Sequence, residues 1–183
     1  MEFPYRNIEI SDEEIQADLF YPAAVPSSRR QGQDGLPTEW ERQTTVRWSD
    51  VDANGHARNT AYSDFATDAR FAFFAAHGFP LAELHARRLT AVILAERLTY
   101  RREVLFGEAI SVSFALAALS GDASRATAEH RIGTADGATA AVVQTDCAWL
   151  SLETRRITAP PDEIADVLRA APRTEAFEVL EAK

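Results

Sequence analysis

The sequence contains a single cysteine, Cys147, among its 183 residues. An intrachain disulfide is therefore excluded, and a reducing compartment is allowed. No apolar run approaches the roughly 20 residues that a membrane-spanning helix needs. The N-terminus also lacks the basic and apolar regions of a signal peptide. These absences predict a cytoplasmic protein with no membrane partner.

Positive charge is scarce as well. The chain has 19 Lys and Arg against 28 Asp and Glu, and its formal net charge is -9. A general nucleic-acid binder needs a basic face to displace counterions, so we expect no nucleic-acid partner. A local basic patch in an acidic chain can still hold an anionic ligand.

Several catalytic and cofactor-binding motifs are missing. His77, His85 and His130 show no metal-ligand spacing with one another or with Cys147. The sequence has no Gly-x-Ser-x-Gly, which argues against an α/β-hydrolase. It also has no phosphate-binding loop and no Gly-x-Gly-x-x-Gly. We therefore expect neither a metal nor a bound cofactor.

The chain is long enough for one domain with a sizeable core, preceded by an extension over residues 1–40. Residues 11–14 read Ser-Asp-Glu-Glu, which has the form of a capping box and predicts a short helix from about Asp12 to Leu19. Residues 22–37 are rich in Pro, Gly, Ser and Gln, a composition typical of a loop.

The predicted domain spans residues 41–155, and a C-terminal tail with a short helix spans residues 156–183. The helix of the tail is expected to begin at Pro161-Asp162-Glu163. Within the domain, residues 42–48 suit a strand. A helix then follows from about Asn59 or Thr60 and is expected to end at Gly78 and Pro80.

This helix is apolar on more than one side and should be buried. Its apolar residues recur at helical spacing and include Tyr62, Phe65, Ala66, Ala69, Phe71, Phe73, Phe74 and Ala76. The apolar period then changes to two, which predicts four strands over residues 90–102, 110–116, 124–132 and 138–151. Short turns between them imply antiparallel pairing. The layout predicts an α+β domain in which an antiparallel sheet wraps around one long central helix.

Polar residues crowd the segment just before the helix: Asp50, Asp52, Asn54, His56 and Asn59. The first amides of a helix are unpaired and carry the positive end of its dipole, so they can stabilise an oxyanion. A carboxylate a few residues upstream can activate water or attack a carbonyl. The same residue types are also common in turns and caps, and local chemistry alone favours that structural interpretation.

The segment resembles a known family. Residues 46–62 contain the spaced residues Arg47, Trp48, Ser49, Asp50, Asp52, Asn54, His56, Asn59 and Tyr62. They resemble the motif of hot-dog-fold thioesterases of the 4-hydroxybenzoyl-CoA thioesterase type, and more closely that of plant acyl-ACP thioesterases. The second motif of the plant enzymes, Tyr-Arg-Arg-Glu-Cys, corresponds to Tyr-Arg-Arg-Glu-Val at residues 100–104. The resemblance covers about residues 41–152.

The resemblance implies a hot-dog fold and hydrolysis of an acyl thioester, either of CoA or of acyl-carrier protein. Asp52 then corresponds to the catalytic carboxylate, Asn54 and His56 to the polar pair beside it, and Glu103 to the acidic residue of the second motif. The backbone amide near Asn59 corresponds to the donor that polarises the thioester carbonyl.

Substrate contacts are expected from Arg58, Tyr62, Arg101 and Arg102. Arg58 stands where relatives commonly have a different residue, and the two later arginines can meet the CoA phosphates. Val104 replaces the cysteine of some plant enzymes, which excludes a thiol nucleophile at that position.

Open questions remain at the level of sequence. His56 either relays a proton or orients the loop, and Glu103 either acts in catalysis or forms a surface ion pair. Asp50 is expected to be a turn or ion-pair residue.

A homodimer or dimer of dimers is expected because the sheet has too few elements to cover both edges. The alternative functions are hydration or dehydration of a β-hydroxyacyl thioester, and a non-catalytic acyl-CoA-binding module.

Overall fold

The computed structural model describes residues 40–181. The predicted helix from Asp12 to Leu19 and the predicted loop over residues 22–37 lie outside the described residues. The domain boundary expected at residue 155 stays a prediction, although the described residues beyond it join the same sheet and core.

One long helix, α1 (Ala61–Ala76), lies at the centre of the fold. It ends as the sequence predicts: Gly78 adopts a positive φ of 90°, and the amide of Phe79 donates to the carbonyl oxygen of Phe74 (2.9 Å). Its buried residues occupy more than one side of the helix and are Ala61, Tyr62, Phe65, Ala66, Ala69, Arg70, Ala72, Phe73 and Phe74. The prediction of a buried central helix is confirmed.

Seven strands form a single sheet around α1. They are β1 (Glu41–Thr45), β2 (Leu89–Tyr100), β3 (Ala109–Ser113), β4 (Ala115–Ser120), β5 (Arg125–Thr134), β6 (Thr139–Ser151) and β7 (Arg173–Leu180). β2, β6 and β5 lie side by side and are antiparallel. The other edge of β5 pairs with two consecutive strands. β3 pairs with the C-terminal part of β5, and β4 pairs with its N-terminal part. The predicted α+β fold, an antiparallel sheet wrapped around one helix, is confirmed.

The single strand expected over residues 110–116 is divided at Phe114 into β3 and β4. The side chain of Phe114 is buried and stacks on Phe73 of α1 with ring centroids 4.2 Å apart. The backbone amide of Phe114 donates to the carbonyl oxygen of Trp40 (2.9 Å). The two strands on either side of Phe114 have different partners: β1 pairs with β3, and β7 pairs with β4.

Three further details differ from the sequence prediction. The strand expected over residues 42–48 ends at Thr45 and is followed by a 3-10 turn, Trp48–Asp50. A short helix, α2 (Leu81–Ala86), precedes β2. Strand β7 follows the predicted C-terminal helix, α3 (Asp162–Arg169), and runs parallel to β4.

The core has two parts along α1. The first lies around Phe73, Phe114 and Trp149 and includes three residues of α3, Ile164, Ala165 and Leu168. The second lies around the start of α1, between Tyr62, Phe65 and Val143. None of the described helices is long and apolar enough to cross a membrane.

Candidate active site

The loop before α1 is anchored by a buried carboxylate. Asp50 is 2% exposed, and its Oδ2 accepts hydrogen bonds from the backbone amide (2.9 Å) and Nε (3.0 Å) of Arg47. Burial acts to raise the pKa of Asp50, but the side-chain and backbone hydrogen bonds from Arg47 outweigh it and hold the pKa below its ordinary value. Asp50 is thus an ion-pair residue of the turn, as the sequence suggested.

Asp52 closes the next turn of the loop. Its Oδ1 accepts hydrogen bonds from the backbone amides of Asn54 (2.8 Å) and His56 (3.2 Å). Its own amide donates to the carbonyl oxygen of His56 (2.9 Å), and Gly55 permits this turn with a positive φ of 79°. Asp52 is exposed, and no described residue donates a hydrogen bond to its Oδ2. One carboxylate oxygen holds the loop, and the other is open to solvent.

The Asp52 loop and the second motif are held together by backbone pairing. The amide of Ala57 donates to the carbonyl oxygen of Val104 (2.8 Å), and the amide of Phe106 donates to that of Gly55 (3.1 Å). Nε2 of His56 lies 3.4 Å from Oε2 of Glu103. Two segments almost fifty residues apart in the sequence thus form one site within a single chain.

The start of α1 presents unpaired donors at this site. Among residues 40–181, no hydrogen bond uses the backbone amide of Asn59 or Thr60. The first bonded amide is that of Ala61, which donates to the carbonyl oxygen of Arg58 (2.9 Å). Thr60 occupies the cap position, but its side chain does not form the cap hydrogen bond. These amides are available to an oxyanion.

Tyr100 fixes the position of the helix start. Its hydroxyl donates to the carbonyl oxygen of Asn59 (3.1 Å), and its ring packs edge-on against Tyr62 with centroids 5.3 Å apart. Tyr100 is not among the site residues predicted from the sequence. Its place at the head of the second motif was the signal that could have identified it.

Arg58 and Tyr62, both expected to contact substrate, have partners within the chain. Arg58 donates to Oγ1 of Thr60 (2.8 Å), to Oδ2 of Asp64 (3.0 Å) and to the carbonyl oxygen of Ser49. Tyr62 is 3% exposed. Burial, and to a lesser extent the neighbouring Tyr100, raises the pKa of its phenol, so the ring stays neutral. Both residues support the helix start, and their contact with substrate stays a prediction.

Arg101 and Arg102 point in different directions from the end of β2. Arg101 lines a polar depression on the outer face of the sheet with Arg97 and Arg131. Arg102 donates from Nη1 to Oδ2 of Asp136 in the β5–β6 turn (2.9 Å). The structure therefore does not bring the two arginines together, although both are exposed.

The chemistry available at the site is that of a carboxylate on a loop that leads into a helix start with free backbone donors. Among the described residues, no group of three or more His, Cys, Asp and Glu side chains is placed to hold a metal ion. Asp52 Oδ2 can accept a proton from water or attack a carbonyl carbon. The amides of Asn59 and Thr60 lie at the positive end of the helix dipole, where a developing negative charge is stabilised.

Solved structures with the same fold include CoA-thioester enzymes. A Staphylococcus aureus protein solved in complex with CoA is 23% identical, with a TM-score of 0.66 over 81% of this chain and 92% of that one. A 1,4-dihydroxy-2-naphthoyl-CoA thioesterase from Synechocystis is 14% identical, with a TM-score of 0.65 over 72% and 96%. The DHNA-CoA thioesterase from Staphylococcus aureus is 16% identical, with a TM-score of 0.64 over 71% and 86%.

No curated protein matches the chain in sequence. The sequence profile of the Thioesterase-like superfamily, in contrast, matches residues 46–168. The matched range contains the Asp52 loop, the central helix, the second motif and most of α3. The chain belongs to the Thioesterase-like superfamily.

Proposed function

We propose that the protein hydrolyses an acyl-CoA thioester to a free acid and CoA at the Asp52 loop. One observation carries the proposal: one carboxylate oxygen of Asp52 receives no hydrogen bond from the described residues, and the loop that holds Asp52 leads directly into the unpaired amides at the start of α1. CoA is preferred to acyl-carrier protein as the thiol because similar structures include a CoA complex and CoA thioesterases.

In the proposed reaction, Oδ2 of Asp52 takes a proton from a water molecule while the water oxygen attacks the thioester carbonyl carbon. The carbonyl oxygen becomes an oxyanion and accepts hydrogen bonds from the amides of Asn59 and Thr60. When the intermediate collapses, the carbon–sulfur bond breaks and the proton moves from Asp52 to the thiolate. Direct attack by Oδ2, followed by hydrolysis of the anhydride, is the alternative that uses the same residue.

We assign His56 an orienting role. Its backbone amide and carbonyl oxygen both bind Asp52, while its ring lies against Glu103. The ring thus joins the loop to the second motif, and a carboxylate already supplies the base. His56→Gln should keep much of the activity and the shape of the pH–rate profile. Loss of the acid limb together with a large fall in kcat would instead make His56 a proton carrier.

We further propose that two chains pair through β2. β2 has 12 residues and pairs with only one described strand, β6. Ile93 and Leu94 are each 50% exposed on it. A long apolar edge strand is a liability that pairing with a second copy removes. Light scattering at micromolar concentration should give the mass of a dimer or a dimer of dimers, and a monomeric mass would rule this out.

The function is tested by release of free thiol from a panel of acyl-CoAs that differ in chain length and in aromatic character. Matched acyl-carrier-protein substrates identify the preferred thiol. Turnover of at least one thioester supports hydrolysis. Binding of acyl-CoA without thiol release would favour a non-catalytic binding module. Conversion of a β-hydroxyacyl-CoA to its enoyl product without thiol release would favour a dehydratase.

A further inference from the structure

A pair of adjoining cavities lies between α1 and the sheet, deep within the fold. The larger has a volume of about 70 Å³, and the smaller has a volume of about 20 Å³. Their walls are largely apolar. Five residues line both of them: Arg70, Phe74, Ala91, Cys147 and Trp149.

Arg70 is the unusual member of this wall, because it places a guanidinium in the core. It is 6% exposed, and it forms an ion pair with none of the carboxylates in residues 40–181. Its Nη2 donates to Oγ1 of Thr67 (3.2 Å), and its Nη1 lies 3.3 Å from Nε2 of His130. Neither contact brings a negative charge to the guanidinium, and the carboxylate of Glu96 acts on it only from beyond ion-pair distance.

His130 does not supply a negative charge to Arg70. Its Nδ1 lies 2.9 Å from the carbonyl oxygen of Ser113, so the ring donates from Nδ1 and accepts at Nε2. Burial lowers the pKa of His130 to about 3, and the imidazole is neutral at physiological pH. Burial also lowers the pKa of Arg70, which reflects the cost of holding its charge away from water. A buried charge of this kind is normally paired.

We propose that the cavity between α1 and the sheet binds a carboxylate carried on a short apolar chain, with Arg70 as its ion-pair partner. A guanidinium presents two parallel N–H groups that match a carboxylate. The apolar walls formed by Phe74, Ala91 and Trp149 suit methylene groups. A phosphate is disfavoured because the largely apolar wall offers few other hydrogen-bond donors.

The cavity volume sets the size of the ligand. The larger cavity has room for roughly five water-sized units, which corresponds to a carboxylate and two methylene groups. Its lining includes Val92 and Ile93 of β2, and Ile93 is half exposed. This end of the cavity therefore adjoins the edge of β2, where the second chain is proposed to pair.

Two sources fit this chemistry: a free short-chain acid, and the far end of a dicarboxylic acyl group whose thioester lies at the Asp52 loop. The second source rests on the proposed function. Asn59 and Arg70 are separated along α1 by about 16 Å, because an α-helix rises 1.5 Å per residue. An acyl chain that bridges them is therefore of medium length.

The first arm of the test does not depend on catalysis. Cys147 is the sole cysteine and lines both cavities, so the rate of its modification by a thiol reagent reports occupancy. Propionate should slow this rate at least about fivefold, whereas the uncharged propionamide should not. Arg70→Met should abolish the effect, Arg70→Lys should retain part of it, and the exposed control Arg97→Met should leave it intact. Equal protection by both compounds, protection that persists in Arg70→Met, or no protection by propionate would overturn the proposal.

The second arm identifies the source. kcat/KM is measured for adipoyl-, sebacoyl- and dodecanedioyl-CoA, each against the neutral acyl-CoA of the same length. A preference of about tenfold for one dicarboxylic substrate, lost in Arg70→Met with the neutral substrate unaffected, assigns the site to the acyl group. Protection by propionate with no such preference assigns it to a free acid. If no thioester is hydrolysed while propionate protects Cys147, the proposed function fails and the carboxylate site stands.

Discussion

The buried imidazole of His130 makes the stability of the protein depend on pH. The ring is fully buried between the carbonyl oxygen of Ser113 (2.9 Å) and the guanidinium of Arg70 (3.3 Å). Burial, followed by the positive charge of Arg70, lowers its pKa from 6.5 to about 3. A proton on this ring would place a second positive charge beside the first in the core.

The sign of the effect follows from which state binds more protons. The unfolded chain protonates His130 near pH 6.5, whereas the folded chain does not until about pH 3. The stability that the neutral His130 ring contributes is therefore fully present above the pKa of His130 in the unfolded chain. It is lost as the pH falls from that value toward the pKa of His130 in the folded chain. Between about pH 7.5 and pH 5 the free energy of unfolding should fall by about 2 kcal/mol on account of this one residue.

Urea unfolding of the wild type and of His130→Gln at the two pH values measures this term. Each protein is compared with itself, so a change in absolute stability caused by the substitution cancels. The wild type should lose about 2 kcal/mol more than His130→Gln between the two pH values. His85→Gln, a substitution at an exposed position, should lose as much as the wild type. Equal losses in the wild type and His130→Gln would refute the reasoning.

Three substitutions test other parts of the structure by urea unfolding at neutral pH. Gly55→Ala should lower the free energy of unfolding by about 1–2 kcal/mol because φ is 79° at that position. Gly121→Ala, which also has open space around its added Cβ, should leave it nearly unchanged. Equal losses in the two variants would contradict the backbone argument. Asp50→Asn should lower the free energy of unfolding by about 1.5–3 kcal/mol because the charge-assisted hydrogen bonds from Arg47 are lost. An unchanged stability would show that the ion pair does not anchor the loop. Phe73→Ala, in the centre of the core, should cost about 3–5 kcal/mol, and a loss under 1 kcal/mol would mean that the surrounding residues refill the space.

The central elements of the fold are predictable because their side chains face one buried surface. The apolar positions of α1 and the alternation along β5 and β6 follow directly from that burial. The division at Phe114 is different: residues 110–116 keep a uniform alternation, and nothing in that pattern marks Phe114 as the residue that stacks on Phe73. β7 is equally hard to predict, since it is largely exposed and mixes charged with apolar residues.

The candidate site is predictable in its parts but not in its assembly. The sequence pointed to the Asp52 loop and the second motif as two separate segments. Their pairing depends on backbone bonds between Ala57 and Val104 and between Gly55 and Phe106, which leave no side-chain pattern. The buried Arg70 gave no signal either, because an arginine on a helix is ordinarily exposed.

The most direct test of the account is the rate of thiol release by Asp52→Asn with the best acyl-CoA of the panel. Asparagine keeps a side-chain oxygen for the amides of Asn54 and His56, so the loop should hold its shape while the carboxylate is lost. Asp162→Asn, an exposed substitution at the start of α3, serves as the matched control. We predict that Asp52→Asn lowers kcat by at least about 10²-fold with little change in stability, and that the control retains full activity. Turnover close to wild type in Asp52→Asn would contradict the assignment of Asp52 as the catalytic carboxylate.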